Sequence, residues 1–268
     1  MPEADRTDST EAAQDLALLR EAAREAGAIA MRYFGKAPQV WMKDGTSPVS
    51  EADYAADAFL RETLLAARPA YGWLSEETAD DPARLSARRT FVVDPIDGTR
   101  GFLEGGSTWC VSVAVVENGR TLAGVLECPA RRETYWAVPR SGAYRNGEAI
   151  KVREPASALD VAGPRPMLDR LPEPWQGRLR RVAYVPSLAC RLAMIAGGEL
   201  DASFVKPNAH DWDIAAAELI LSEAGGQLLD RRGGVPTYGG ESIRHGALAG
   251  GSGELLAAMA AVLAELDA

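Results

Sequence analysis

Residues Phe91–Phe102 read FVVDPIDGTRGF. The apolar run Phe91 to Val93 leads into Asp94, and the pattern predicts a strand over Thr90 to Asp94 that Pro95 brings to an end, because proline has no N–H to give a ladder. Asp97, Gly98 and Thr99 follow at once. Across a tight turn the carboxylate of Asp97 can face the same point as that of Asp94. Two acids that close repel unless a cation neutralises them, and hard oxygen ligands of this kind suit Mg2+. Gly98 lets backbone approach a ligand closely, and a helix opening at Thr99 would present free N–H groups as an anion site beside the cation. A bare D-x-x-D-G-T is also served by a turn that uses Asp, Pro and Gly for backbone reasons alone.

Three other acidic spots bear on that choice. Trp73-Leu74-Ser75-Glu76-Glu77 sets two acids directly after a strand-like segment. The stretch SPVSEADYAAD, residues 47–57, puts Asp53 in the first turn of a helix capped by Ser50, and HDWDIAAAELILSEAGG, residues 210–226, does the same for Asp213. Taken singly, each reads equally well as an ordinary solvated acid or as a carboxylate favoured by a helix dipole.

The rest of the chain sets the frame. Its 268 residues, 47% hydrophobic and 25% charged, can bury a sizeable core as one large or two small domains. Six Trp residues are available for burial. A net charge of −9 argues against a sequence-blind binder of nucleic-acid backbones and suits an acidic enzyme that holds cations. The opening MPEADRTDSTEAAQ lacks the basic and apolar regions of an export signal, and the longest apolar run, Trp109 to Val116, is too short to span a bilayer. A cytoplasmic protein without a membrane partner is expected. Cys110, Cys128 and Cys190 form no C-x-x-C pair and read as small buried hydrophobes in a reducing compartment.

Helical spacing predicts a long helix from Glu11 to Phe34, with Thr10 as its cap and Gly35 at its end, and a second from Glu51 to Ala67. Strands are expected over Thr108 to Glu117, Arg120 to Cys128 and Thr134 to Val138, the first two joined by Asn118-Gly119. Pro155, Pro164, Pro166, Pro172 and Pro174 mark a boundary, which divides the chain into an α+β part, 1–154, and an α/β part, 155–268. In the second part, strands near Arg181 to Tyr184 and Ala202 to Lys206 alternate with helices near Ser187 to Ala196 and Asp211 to Ala224, and a last helix follows Ser252. No internal repeat is visible. The Arg pairs at 88/89, 131/132, 180/181 and 231/232 read as solvated loop charges.

All four acidic motifs occur in one chain, in the order SPVSEAD, LSEE, DPIDGT and WDIAAA…EAGG. In this the sequence resembles the inositol monophosphatase superfamily of Mg2+-dependent, often lithium-sensitive phosphatases, over about Leu16 to Leu263. The resemblance implies an α/β fold, a layered αβαβα sandwich with the metal site at the junction of its halves. It implies that Glu76, Asp94 and the carbonyl of Ile96 bind one metal, that Asp94, Asp97 and Asp213 bind another, and that two or three Mg2+ ions occupy the site. It also implies that Thr99, paired with Asp53, deprotonates the attacking water, that the Gly98 and Thr99 amides hold the phosphate, and that Glu77 supports the metal ligands from behind. A homodimer acting on a small phosphorylated metabolite is implied too. The residues agree with water attack: His210 and His245 are the only histidines and neither neighbours a nucleophilic Ser or Cys, while D-x-x-D differs from the D-x-D of haloacid-dehalogenase phosphatases.

The chain departs from the inositol enzymes where substrate is chosen. Lys206, six residues before Trp212, stands where they carry a glutamate, and its ammonium favours a more anionic substrate unless it is only surface charge. Pro186-Ser187-Leu188-Ala189 replaces a Gly-Ser-containing segment and leaves Ser187 as a candidate contact. Arg100-Gly101-Phe102 and the SPVSEAD form lean towards the 3′(2′),5′-bisphosphate nucleotidases. The expected substrate is therefore 3′-phosphoadenosine 5′-phosphate, with inositol monophosphate second and histidinol phosphate third. A non-catalytic cation- and phosphate-binding regulator on the same fold is the alternative of a different class.

Overall fold

The computed structural model of the chain describes residues 3–43, 47–154 and 156–266. Helix α1 (Glu3–Met31) precedes an antiparallel pair, β1 (Val40–Lys43) and β2 (Ser47–Ser50), and helix α2 (Glu51–Ala67). Strands β3 (Gly72–Ser75) and β4 (Arg89–Asp97) lead to the short helix α3 (Thr99–Leu103). Five strands follow: β5 (Cys110–Glu117), β6 (Arg120–Cys128), β7 (Glu133–Ala137), β8 (Ala143–Arg145) and β9 (Glu148–Ile150). The remainder comprises β10 (Leu159–Ala162), α4 (Arg165–Leu168), α5 (Glu173–Gln176), β11 (Leu179–Arg181), α6 (Leu188–Ala196), β12 (Ala202–Val205), α7 (Asp211–Glu223), β13 (Gln227–Asp230), β14 (Leu248–Gly251) and α8 (Gly253–Glu265).

Strands β3 to β9 form a seven-stranded sheet in chain order, antiparallel except for the parallel pair of β3 and β4. The second sheet has the order β11-β10-β12-β14-β13, with β10 parallel to both neighbours and the other pairs antiparallel. Alternation along β4 and β5 decides the layers. Phe91, Val93, Val111, Val113 and Val115 face one way and pack on Leu19, Ala23, Leu60 and Leu64 of α1 and α2. Val92, Cys110, Ala114 and Val116 face the other way, onto Ala193 of α6 and Ala216 of α7. The second sheet lies beyond those helices, and Leu255, Met259 and Leu263 of α8 cover its far face. The architecture is thus a mixed α/β sandwich of five layers, α-β-α-β-α.

Helix α7 is buried on nearly every side because it lies between two sheets. Its three consecutive alanines allow a close approach: a Cβ on Gly124 of β6 would come within 3.0 Å of the Ala216 backbone. Ser112 and Thr121 each donate a 3.0 Å hydrogen bond to a carbonyl of the same helix, those of Trp212 and Ala215. The asparagine–glycine turn has positive φ at both residues, 51° at Asn118 and 76° at Gly119, matching the twist of a two-residue hairpin.

Several expectations need correction. Helix α1 reaches back to Glu3 and ends at Met31; its first turns carry no apolar stripe from which the earlier start could be read. Residue 10 therefore lies within the helix; the side chain of Thr10, like Pro155 at the expected boundary, lies outside the described residues. Arg89 is no solvated loop charge. It begins β4, buried, and its guanidinium reaches Asp15 of α1 at 3.1 Å and Glu117 at 3.0 Å. Arg131 likewise pairs with Glu133 and Glu199. Trp41, counted among residues available to the core, is 41% exposed. The three cysteines are buried, and their sulfurs lie within 4.8 Å of one another between β5, β6 and α6.

Burial pushes Glu218 on α7 up from 4.5 to about 7, with Arg120 offsetting only part of the effect. Between those two values the folded state binds the extra proton, so stability falls as pH rises from about 4.5 to about 7 and is level above. Replacing Glu218 with Gln should abolish this slope and raise stability at pH 8 by on the order of 2 kcal/mol. Urea unfolding of both proteins at pH 5 and pH 8 checks it; equal pH dependence would mean that the carboxyl is solvated.

Candidate active site

The site begins with an irregularity in β4. Asp94 lies opposite Ser112 and Asp97 opposite Cys110, so three steps along β4 match two along β5. In a regular strand, residues three apart point to opposite faces; one extra residue restores the parity and turns both acids towards the layer between the sheets. The expected strand end at Asp94 is thereby corrected: β4 continues through Pro95 to Asp97, and Pro95 sits in the bulge, where a missing N–H costs the ladder least. The Ile96 N–H donates to Asp94 Oδ1 at 3.0 Å and fixes the bulge from within.

Gly98 then takes φ 93°, which only glycine adopts without strain, and Thr99 opens α3. Position 98 is also sterically closed, since a Cβ there would stand 2.9 Å from the Ser187 Cβ. Ser187 is fully buried. Its hydroxyl donates to Asp97 Oδ2 at 2.5 Å and accepts the Cys190 N–H at 2.9 Å, while the Ala189 N–H adds a 2.6 Å bond to the same Asp97 oxygen. Ser187, expected from the sequence as a candidate substrate contact, is here engaged within the protein: it caps α6 and holds Asp97.

A cavity of about 220 Å³ opens over these residues, lined by Glu76, Asp94, Asp97, Thr99, Arg100 and Asp213 among others. Carboxylate oxygens of Glu76, Asp94 and Asp213 lie within 4.8 Å of one another. Asp97 shares the cavity but is not part of that triplet. Asp53 stands behind the wall, fully buried, and is reached through Thr99, whose hydroxyl lies 3.1 Å from Asp53 Oδ1 and 3.0 Å from the Ile96 carbonyl. Ser50 holds the other Asp53 oxygen, through its N–H at 2.8 Å and its hydroxyl at 2.6 Å. Asp213, third residue of α7, accepts the His210 N–H at 2.7 Å. Lys206 does not belong here: it is exposed and lines a neighbouring cavity of about 570 Å³.

The electrostatics follow from this crowding. Burial, then the charge of Glu76, Asp97 and Asp213, holds the Asp94 carboxyl well above the usual carboxylate range. Asp213 is raised by burial and by Asp97, and Asp97 is pushed up to about 7 by burial against the donation of Ser187. Glu77 also reaches about 7, through burial and Glu76, with Lys43 opposing. Burial raises Asp53 as well, and its bonds from Ser50 and Thr99 oppose that. Acids this close cannot all ionise unless a cation joins them, so the donor set fits a hard divalent ion.

Lys43 was not legible in the sequence as part of this site. Its ammonium lies 2.8 Å from both Glu76 and Glu77. The pairing of fully buried Asp211 with His245, at 2.7 Å, was also unforeseen; Asp211 accepts the Gly239 N–H as well, and so ties the start of α7 to the segment before β14. No local pattern signals either contact, because each joins residues far apart in the chain.

Replacing Gly98 with Ala should cost about 1–3 kcal/mol through the positive φ and the contact with Ser187, and should displace Asp97 through that same serine. A thermal melt reads the first effect; an unchanged Tm would show that the approach to Ser187 is loose.

The sequence pattern of the Inositol monophosphatase family matches residues 11–267. An inositol-1-monophosphatase of Rhizobium meliloti (strain 1021) is 32% identical over 260 residues, 92% of this chain and 95% of its own. A Streptomyces griseus protein named glucose-1-phosphate thymidylyltransferase is 36% identical over 230 residues, 82% of this chain and 87% of its own. Among solved structures, the extragenic suppressor protein suhB of Bartonella henselae is similar with a TM-score of 0.82 at 27% identity, over 94% of this chain and 99% of that one. The family match spans both sheets and every acid of the cavity: the chain belongs to the inositol monophosphatase family and is a phosphoric monoester hydrolase.

Proposed function

We propose that the acidic cavity hydrolyses a small phosphate monoester with a cation-activated water, and that the ester is 3′-phosphoadenosine 5′-phosphate. The observation that carries the reaction is the convergence of Glu76, Asp94 and Asp213 oxygens within 4.8 Å, in one cavity with Thr99 and its partner Asp53. On this reading Glu76, Asp94, the Ile96 carbonyl, Asp97 and Asp213 would hold two or three Mg2+ ions. Bound there, the ions would lower the pKa of water, neutralise phosphoryl oxygens and stabilise the leaving alkoxide. The chain divides for this purpose at 154/155, the first part supplying every acid but Asp213.

The protein's own share is proton transfer and positioning. Thr99 has one hydroxyl proton and two acceptors in reach, Asp53 Oδ1 and the Ile96 carbonyl. When it donates to Asp53, its lone pairs are free to accept from a water in the cavity. A proton can then pass from the water to Thr99 while the Thr99 proton passes to Asp53, whose basicity burial has raised. Ser50 holds the far oxygen of Asp53, which keeps Oδ1 aimed at Thr99. Glu77 shares Lys43 with Glu76 and steadies it. The amides of Gly98 and Thr99, at the start of α3, are the phosphate contacts on this reading.

Arg100 on the wall of the acidic cavity and Lys206 in the adjoining one support an anionic leaving group. Inositol monophosphate is the second reading, favoured by the name of the Rhizobium relative; histidinol phosphate is the third ester to assay. Phosphate release in Mg2+ from equal concentrations of the three should give the bisphosphate the highest kcat/KM, and Lys206→Glu should weaken that substrate selectively. If inositol phosphate is preferred and Lys206→Glu is neutral, the nucleotide reading fails.

Asp94→Asn should lower the rate by on the order of 10³-fold and, by removing one of several repelling acids, raise the Tm measured in chelator. Mg2+ should raise the Tm of the wild type and not that of the variant. Full activity in Asp94→Asn would overturn the assignment.

A further inference from the structure

We propose that the cavity beside the acidic one is a subsite for a second anionic group of the substrate, and that Arg191 is the residue that recognises it. The inference deepens the phosphatase reading, on which it rests for the neighbouring site, but the subsite can be assayed by binding alone. The two cavities share Tyr184 and Pro186, so one molecule can occupy both. Arg165, Arg181, Arg191 and Lys206 line the larger cavity and no Asp or Glu does, in a chain whose net charge is −9. Local composition there runs against the whole molecule, as an anion site requires.

Arg191 stands apart from the other three. Arg165 and Arg181 are both met by Asp169, and Lys206 is exposed to water. The Nε of Arg191 is buried and has no hydrogen-bond partner among the described residues. A buried guanidinium donor without an acceptor costs free energy, and native structures leave such donors open chiefly where a ligand or water completes them. The simpler role, neutralising nearby Asp97, is poorly served, because the described donors to that carboxylate are Ser187 and Ala189. The planar guanidinium fork matches a phosphate or carboxylate.

Its position is set by the catalytic side. The Arg191 N–H bonds the Ser187 carbonyl at 3.2 Å, so Arg191 lies one helical turn beyond the serine that holds Asp97. Tyr184, 78% exposed at the shared wall, offers an aromatic face between the two sites. A volume of about 570 Å³ exceeds what a single polyol ring needs and suits a nucleoside-sized leaving group. The substrate class is thus a phosphate monoester that carries a second phosphate or carboxylate across a planar or apolar core.

The test is calorimetric titration of adenosine 5′-phosphate without Mg2+, with adenosine as control, alongside kcat/KM for 3′-phosphoadenosine 5′-phosphate and inositol 1-phosphate. Arg191→Gln should weaken adenosine 5′-phosphate binding at least tenfold, with no such change for adenosine. The ratio of the two kcat/KM values should fall at least tenfold, mainly through KM, and Arg191→Lys should restore part of both. Lys206→Ala and Tyr184→Ala, both at exposed positions, give an independent reading if Arg191→Gln fails to fold: each should weaken binding several-fold. Binding that no variant changes, or no binding to the wild type, overturns the subsite. Binding that depends on Arg191 without phosphate release from any ester would retain the subsite and reject the phosphatase reading; turnover with indifferent binding would do the reverse.

Discussion

Carboxylates held together away from water repel, and the arrangement of this molecule answers that repulsion. Asp53, Asp94 and Asp97 are buried, with Asp213 beside them. Helix N-termini meet three of the four. Asp53 and Asp213 are each the third residue of a helix, α2 and α7, and each accepts the N–H of the residue that caps it. Asp97 accepts an N–H from the first turn of α6. A helix start offers unpaired N–H groups and the positive end of a dipole, so each placement offsets part of a negative charge. What the helices leave uncompensated is the affinity of the cavity for cations. Among the described residues no helix start meets Asp94, which accepts the Ile96 N–H inside the bulge, and its carboxyl is among those held well above the usual range.

The layered fold is the geometry that lets those helix ends meet. Helix α2 lies on the outer face of the seven-stranded sheet, while α6 and α7 lie between the sheets. Only at the end of β4 can all of them be reached together, and only because the bulge turns Asp94 and Asp97 to one side. A regular strand would send one of the two acids towards α1. The burial of α7 between two apolar sheet faces is what fixes Asp213 in depth, and its alanines are what permit that burial.

Much of this was legible, for physical reasons that differ from element to element. The β5–β6 hairpin was marked by turn chemistry that few conformations satisfy, and α2 by a capping serine followed by an acid. The site acids stood out because residue type, spacing and order recur together in a family, which no single motif could have established. Where the sequence was silent, the cause was the distance between partners. Strands β8 and β9 have three residues each and no readable alternation. Arg89 looked like half of a solvated pair because Asp15, its buried partner, lies 74 residues away. The bulge was misread as a strand end because proline ends ladders more often than it sits within an irregular one. The bonds of Ser187 to Asp97 and to the start of α6 were not legible either, because Asp97 lies 90 residues away.

Helix α6 joins the two halves of the chemistry. Its capping serine fixes Asp97 in the acidic cavity, and one turn later the same helix carries Arg191, half-buried with its Nε enclosed, into the larger cavity. The hold on Asp97 and the side chain of Arg191 therefore sit on one rigid element rather than on two loops, and their separation cannot drift independently. The packing makes this arrangement stiff, since Ala189, Leu192 and Ala193 of α6 are buried in the core between the sheets. Divergence of substrate within such a fold need not touch the acids at all. Changes at Tyr184, Arg191 or Lys206 reshape the neighbouring cavity while Ser187 and Ala189 keep their hold on Asp97, so the fold can retain its reaction while its leaving group varies.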